Sequence, residues 1–175
     1  NEIIFALPQD PDHLMTYGST TYLICGSASS TSNSQNAADL GVASPWGNFR
    51  SRGNLTAKFA DGAKDHRYMF FTDKQNQYIS DFTNQQDGYL FTKWSNLKDN
   101  GEIASNTASY GAATDFPLFR LADVYLMYAE AVVRGGNGGS REQAVQYIND
   151  LRKRAYGDES GNIKESQLTK EFIID

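Results

Sequence analysis

The chain is poor in the residues that most enzymes of its size rely on: 175 residues contain one cysteine, Cys25, and two histidines, His13 and His66. A single cysteine rules out an internal disulfide. A hydrolase needs two carboxylates in a cleft, or a Ser or Cys beside a His, and the scattered acids and two histidines form no such constellation. Positive charge is also scarce, with 16 Lys and Arg against 21 Asp and Glu for a net charge of −5. That balance excludes the basic field that holds nucleic-acid phosphates. No apolar run is long enough to cross a membrane, and neither a signal peptide nor a lipobox can be read in these residues. Asn1 opens almost directly onto the apolar run Ile3-Ile4-Phe5-Ala6-Leu7, and a helix start at Thr169 is followed by only six residues. The expectation is an internal piece of a longer protein, organised as a single domain.

Aromatics are abundant. Ten Tyr, ten Phe and two Trp make up 13% of the chain. A domain of this length buries roughly seven-tenths of its unfolded surface, and its core does not need that many rings, so some are expected at a surface.

The clearest architecture lies between Phe116 and Tyr156. Apolar residues at Leu118, Leu121, Ala122, Tyr125, Tyr128, Ala129 and Val132 follow the spacing of one helix face and predict a helix over 116–132. Glycines 135, 136, 138 and 139 then break the chain, and Ser140 with Gln143 forms a capping-box pattern that opens a second helix over 141–155. Its inner face is Ala144, Ile148, Leu151 and Ala155, and Tyr156-Gly157 ends it. So short a connection makes the helices antiparallel neighbours in contact through Tyr125, Ala129, Ile148 and Leu151. Small residues where they approach and tyrosines between turns are the grammar of a tetratricopeptide-type hairpin, which needs a neighbour to cover it. Arg120 with Asp123 suggests an i, i+3 ion pair, and Glu130 a charge pair between helices. Leu168 and Ile173 are placed to form a hydrophobic staple around Thr169.

The run from Phe116 to Ala131 fits the pattern P-x-x-R-x-A-[ED]-x-x-L-x-x-A-E-A, and the run from Ile148 to Ala155 fits I-N-x-x-R-x-R-A. Together, at this spacing, they resemble the signature of the SusD/RagB family, the glycan-binding outer-membrane lipoproteins of Bacteroidetes. Residues 1–5 and Asp65-His66-Arg67 are similar to weaker family landmarks, while Asp123 stands where the family usually has Glu. The resemblance implies a mostly α protein, α+β with irregular loops, in which a tetratricopeptide-like helical platform is covered by an irregular, aromatic-rich region with a few short strands. It also implies a non-enzymatic function. Extracellular oligosaccharide would be bound at the cell surface and delivered to a SusC-like TonB-dependent transporter, with membrane attachment only through a lipid anchor outside these residues. Residues 1–114 would be the ligand-binding region, and 115–175 the hairpin and the start of a further helix. A tetratricopeptide-type scaffold for another protein is the alternative.

Within the irregular region, Ile3–Leu7 reads as a strand, and Tyr17–Cys25 carries β-branched and aromatic residues. Residues 27–36 form a Ser/Asn-rich loop, Leu55–Asp61 a short helix turning Phe59 inward, and Arg67–Thr72 and Gly88–Trp94 run like strands. Trp46, between Pro45 and Gly47 and close to Asn48, Arg50 and Arg52, is the leading ligand residue. A flat ring covers the C–H face of a sugar, and amide or guanidinium donors hold its hydroxyl rim. The competing reading packs Trp46 onto the helices as an ordinary loop tryptophan. Tyr17 and Tyr22 are the next candidates; Tyr22 is preferred because its separation from Trp46 resembles that of two platform aromatics in the family, although Leu23-Ile24 beside it also suits a core position. Asp10, Asp12 and His13 form an acidic turn able to offer oxygens to Ca²⁺, with an ordinary proline-containing turn as the plainer reading. No other cofactor is implied, and His66 reads as a salt-bridge corner.

Overall fold

A computed structural model describes residues 2–13, 17–29, 34–105 and 111–175. In chain order the elements are β1 (Ile3–Leu7), α1 (Ser19–Ser27), α2 (Ser34–Asp39), β2 (Arg50–Ser51), α3 (Gly53–Thr56), β3 (Phe70–Phe71), β4 (Tyr89–Phe91), β5 (Phe116–Arg120), α4 (Leu121–Val133), α5 (Arg141–Tyr156) and α6 (Lys170–Ile174). The fold is α+β, with much irregular chain between short elements. It divides into a helical unit, residues 1–6, 61–67 and 117–175, and an irregular unit, residues 7–60 and 68–116. No helix of the described residues is long and apolar enough to cross a membrane.

In the helical unit, the helix expected to start at Phe116 starts five residues later. Phe116–Arg120 is instead strand β5, paired with β1. Pro117 is the physical reason: it biases Phe116 toward extended backbone, and a strand on the edge of a two-stranded sheet tolerates its missing N–H. The delay also moves the apolar face. Leu118 and Leu121, expected to be buried, are 41% and 37% exposed.

The α4–α5 hairpin packs as its small and aromatic residues direct. Ala129 and Ala144 are fully buried, and Ile148, Ile163 and Leu168 complete a core flanked by Tyr128, Val132, Phe172 and Ile173. Tyr125 and Tyr147 stack with centroids 4.1 Å apart, and Tyr128 meets Tyr147 edge-on at 5.2 Å. Ser140 caps α5 by accepting from the Gln143 N–H. The reciprocal half of the expected capping box is replaced: the Ser140 N–H donates to the Tyr128 hydroxyl at 3.0 Å, tying the loop back to α4. Gly157, with φ of 78°, closes α5 in the left-handed conformation. Thr169 caps α6 by accepting from the Phe172 N–H.

The charged residues of the hairpin pair differently from expectation. Arg120 bonds Glu2 rather than Asp123, and Arg154 bonds the other oxygen of the same carboxylate. Glu130 pairs with Arg134 on its own helix rather than across the hairpin. Asn149 acts as a backbone mimic, accepting from the Ile163 N–H and donating to the Ile163 carbonyl. Arg152 donates to the Gly161 carbonyl and lies over the Tyr156 and Phe172 rings. At the His66 corner the ion pair joins Asp65 and Arg67, while the His66 N–H donates to the Ala155 carbonyl. Burial raises the Asp65 pKa, but the Arg67 hydrogen bonds and charge outweigh it and leave the carboxyl below its usual range.

In the irregular unit, Tyr17–Cys25 does not form the extended segment its composition suggests. Ser19–Ser27 is helix α1. Here tertiary contacts override the preference of β-branched residues. Thr20 and Thr21 are buried, the Thr20 hydroxyl donates to the Thr114 carbonyl, and the Thr21 hydroxyl accepts from the Ala112 N–H. Ile24, Cys25 and Ala28 then meet Ala37, Leu40, Val42 and Ala112 in the core of this unit. Buried Asn96 joins three loops: its oxygen accepts from the Ala113 N–H, and its amide faces the Gly41 and Ala104 carbonyls. β2, β4 and β3 form an antiparallel sheet in that order, with Arg50 opposite Leu90 and Phe70 opposite Phe91. The helix expected over 55–61 is shorter and earlier, at Gly53–Thr56, and Phe59 lies half-buried edge-on to Tyr68 and Phe70.

Candidate functional site

The candidates Trp46, Tyr22 and Tyr17 meet where the chain after α2 runs back along the end of α1. A helix leaves its last carbonyls without partners, and residues 46–49 supply them. Trp46 N–H donates to the Cys25 carbonyl at 2.8 Å, Gly47 N–H to Ala28 at 2.9 Å and Phe49 N–H to Gly26 at 2.8 Å. Gly47 makes the turn with φ of 63°. The approach is close enough to require Gly26, since a Cβ there would stand 2.9 Å from Asn48 Oδ1 and 3.1 Å from Phe49 Cβ.

This backbone lays the Trp46 ring against the Ile24–Ala112 core, half-buried. Tyr17 and Tyr22 each stand 6.1 Å from it, centroid to centroid, tilted by 47° and 50°. Tyr17 is 61% and Tyr22 41% exposed, so Tyr22 is not a core residue. Neither sequence reading of Trp46 describes the result fully: the indole is a packed floor, and the open surface comes from the two tyrosines against it. The rings continue through Phe49, 6.1 Å from Tyr22, to Phe91 at 4.8 Å and Phe70 at 5.4 Å. Sequence reasoning missed these members because Phe49 precedes β2 while Phe91 and Phe70 lie on β4 and β3, and only the β4 pairings bring them together.

The polar candidates separate. Asn48 is exposed beside Trp46 in the chain. Arg50 has another role: its guanidinium donates to the Phe82, Asn84 and Asp87 carbonyls and clamps the loop that precedes β4. The acidic turn also folds in on itself. Asp10 accepts from the Asp12 and His13 N–H groups and bonds the His13 ring at 2.7 Å, which holds its carboxyl below the usual range, while the Ser105 hydroxyl donates to Asp12. Among the described residues, no group of three or more His, Cys, Asp or Glu is placed to hold a metal ion. Burial pushes the Cys25 thiol up to about 11, leaving it protonated and inert at neutral pH.

An anchored row of rings with two open tyrosines has the shape to take flat apolar faces. A model described as the SusD family matches residues 30–175. The chain belongs to the SusD family. It is 29% identical over 222 aligned residues to the starch-binding protein SusD of Bacteroides thetaiotaomicron, covering 99% of this chain and 37% of that protein. Among solved structures, the crystal structure of a SusD homolog from the same species superposes with a TM-score of 0.60 at 21% identity, over 99% of this chain and 33% of the other. The chain therefore spans about a third of the length of these SusD relatives. The structural likeness establishes a shared fold, and the Phe116–Ala131 and Ile148–Ala155 motifs lie inside the matched region.

Proposed function

We propose that this chain carries a glycan-binding surface made by Trp46, Tyr22 and Tyr17, with Asn48 at its rim, and that it binds without chemistry. The observation that carries the reading is that Tyr17 and Tyr22 each stand 6.1 Å from a Trp46 ring whose backbone is fixed to α1. A sugar offers weak affinity, so a surface that had to be ordered on binding would consume most of it. The starch-binding relative supports oligosaccharide as the ligand class. In the whole protein the role is capture of extracellular glycan at the outer-membrane surface, through a lipid anchor, for delivery to a SusC-like TonB-dependent transporter. The test is calorimetric titration with maltoheptaose, xylohexaose and other soluble oligosaccharides. Specific heat of binding to at least one, lost in Trp46→Ala and retained in Leu121→Ala, is the expected result; equal binding by both variants overturns it.

A second reading rests on a different surface. The helical unit leaves Val124, Leu126 and Met127 of α4 between 38% and 59% exposed. Such an unpartnered face suits the tetratricopeptide-type platform, on which a further polypeptide packs. Met127→Glu separates the two readings, because it blocks packing there and leaves the Trp46 surface unchanged.

A further inference from the structure

The loop between β3 and β4 uses its polar groups on its own scaffold and presents aromatics to solvent. Asp87 is 1% exposed. Its carboxylate accepts from the amides of Asn76 and Asn84, the N–H groups of Ser80 and Asp81, and the Ser80 hydroxyl. Arg50 holds the Phe82, Asn84 and Asp87 carbonyls from the other side. Asp81 in turn accepts from the N–H and hydroxyl of Thr83. With the backbone fixed from within, the outward residues include Tyr78, 62% exposed, and Phe82, 77% exposed.

Tyr78 is more than a ring in solvent, because it is seated on Gly53. A Cβ at Gly53 would lie 2.5 Å from Tyr78 Cε1 and 2.9 Å from Cγ, so any larger residue there would displace the ring from this seat. One side of the ring is thus spent on backbone while most of its surface stays open. Arg52 and Asn54, both exposed, flank Gly53 in the chain. An anchored, open aromatic repeats the main element of the Trp46 surface, a flat ring able to cover the C–H face of a sugar.

We propose that Tyr78, with Phe82 of the same loop, is a second glycan contact, stacking one sugar ring on a platform built by Gly53, Asp87 and Arg50. The ligand class rests on the glycan reading of the Trp46 surface; the contact itself does not use Trp46, Tyr22 or Tyr17. The test is affinity electrophoresis of the 175-residue chain in gels containing amylopectin, xylan or pullulan. The proteins compared are wild type, Trp46→Ala, Tyr78→Ala, Tyr78→Phe and Phe82→Ala. Tyr78→Ala is expected to weaken retention by the polysaccharide that holds the wild type about three- to tenfold, the scale of one aromatic contact. Tyr78→Phe keeps the ring and keeps the retention. Phe82→Ala, at an open position whose removal disturbs no core, weakens retention by a smaller factor and guards against a folding artefact. If Trp46→Ala loses retention while Tyr78→Ala and Phe82→Ala match the wild type, the second contact is overturned and the Trp46 surface stands. If the Tyr78 and Phe82 variants lose retention and Trp46→Ala does not, the second contact stands and the Trp46 reading fails. Retention of the wild type by none of the three polysaccharides overturns both.

Discussion

The helical and irregular units are held together by different physics. α4, α5 and α6 are joined by apolar burial around Ala129, Ala144, Ile148 and Leu168, with caps closing their ends. The irregular unit has an apolar core of its own but relies heavily on polar side chains that collect backbone groups: Asp87 on residues 76–84, Arg50 on the carbonyls of 82–87, and Asn96 on three loops. Contacts of the first kind degrade gradually as volume is removed. Those of the second leave buried donors without acceptors when one atom changes. The proposed binding surface belongs to the second kind of unit, and so do its weak points.

The sharpest break in this comparison is predicted at Asp87. Asp87→Ala strands five donors and should unfold the irregular unit locally, read as loss of amide-exchange protection across residues 76–88. Acid should act on the same group. Hydrogen bonds from Ser80 and Asn76, then from the Asp81 and Ser80 backbone, hold its carboxyl far below the ordinary range. A depressed folded value contributes stability that is complete above about pH 4 and is lost as pH falls through the folded value. Protection of the loop should therefore fall on acidification below about pH 4; an acid-insensitive loop contradicts this role.

Next come Ile148→Ala and Leu168→Ala, buried to 4% and 1% exposure, each expected to cost about 2–5 kcal/mol in urea unfolding. Ser140→Ala removes the α5 cap and should cost about 1 kcal/mol. Leu121→Ala is the smallest, under about 1 kcal/mol, because the side chain is already 37% exposed. A loss at Leu121 as large as at Ile148 would reinstate the helix face that the spacing suggested.

That contrast also explains what could be read in advance. The α4–α5 hairpin was legible because period, glycine break and Ser140 cap are local signals. Its beginning was not, because Pro117 acts through a strand partner at the other end of the sequence. α1 was illegible for a related reason: the partners that satisfy the Thr20 and Thr21 hydroxyls within the helix are the Thr114 carbonyl and the Ala112 N–H, some ninety residues away. Tyr17, Tyr22 and Trp46 stood out as rings among glycines and polar residues, and the structure brings them together. Arg50 looked equally suited to a sugar rim, and nothing local reveals that three carbonyls more than thirty residues away occupy it.

The proposed glycan surface is tested most directly by one titration. Tyr22→Ala removes an exposed ring, 41% accessible, without emptying the core, and leaves Trp46 in place as a fluorescent reporter. Maltoheptaose, or whichever oligosaccharide the wild type binds, should change tryptophan emission in the wild type. The variant should need about tenfold more ligand for the same change, with its thermal midpoint unaltered. Identical titration curves for the two proteins would contradict a glycan stacked on Tyr22 against Trp46.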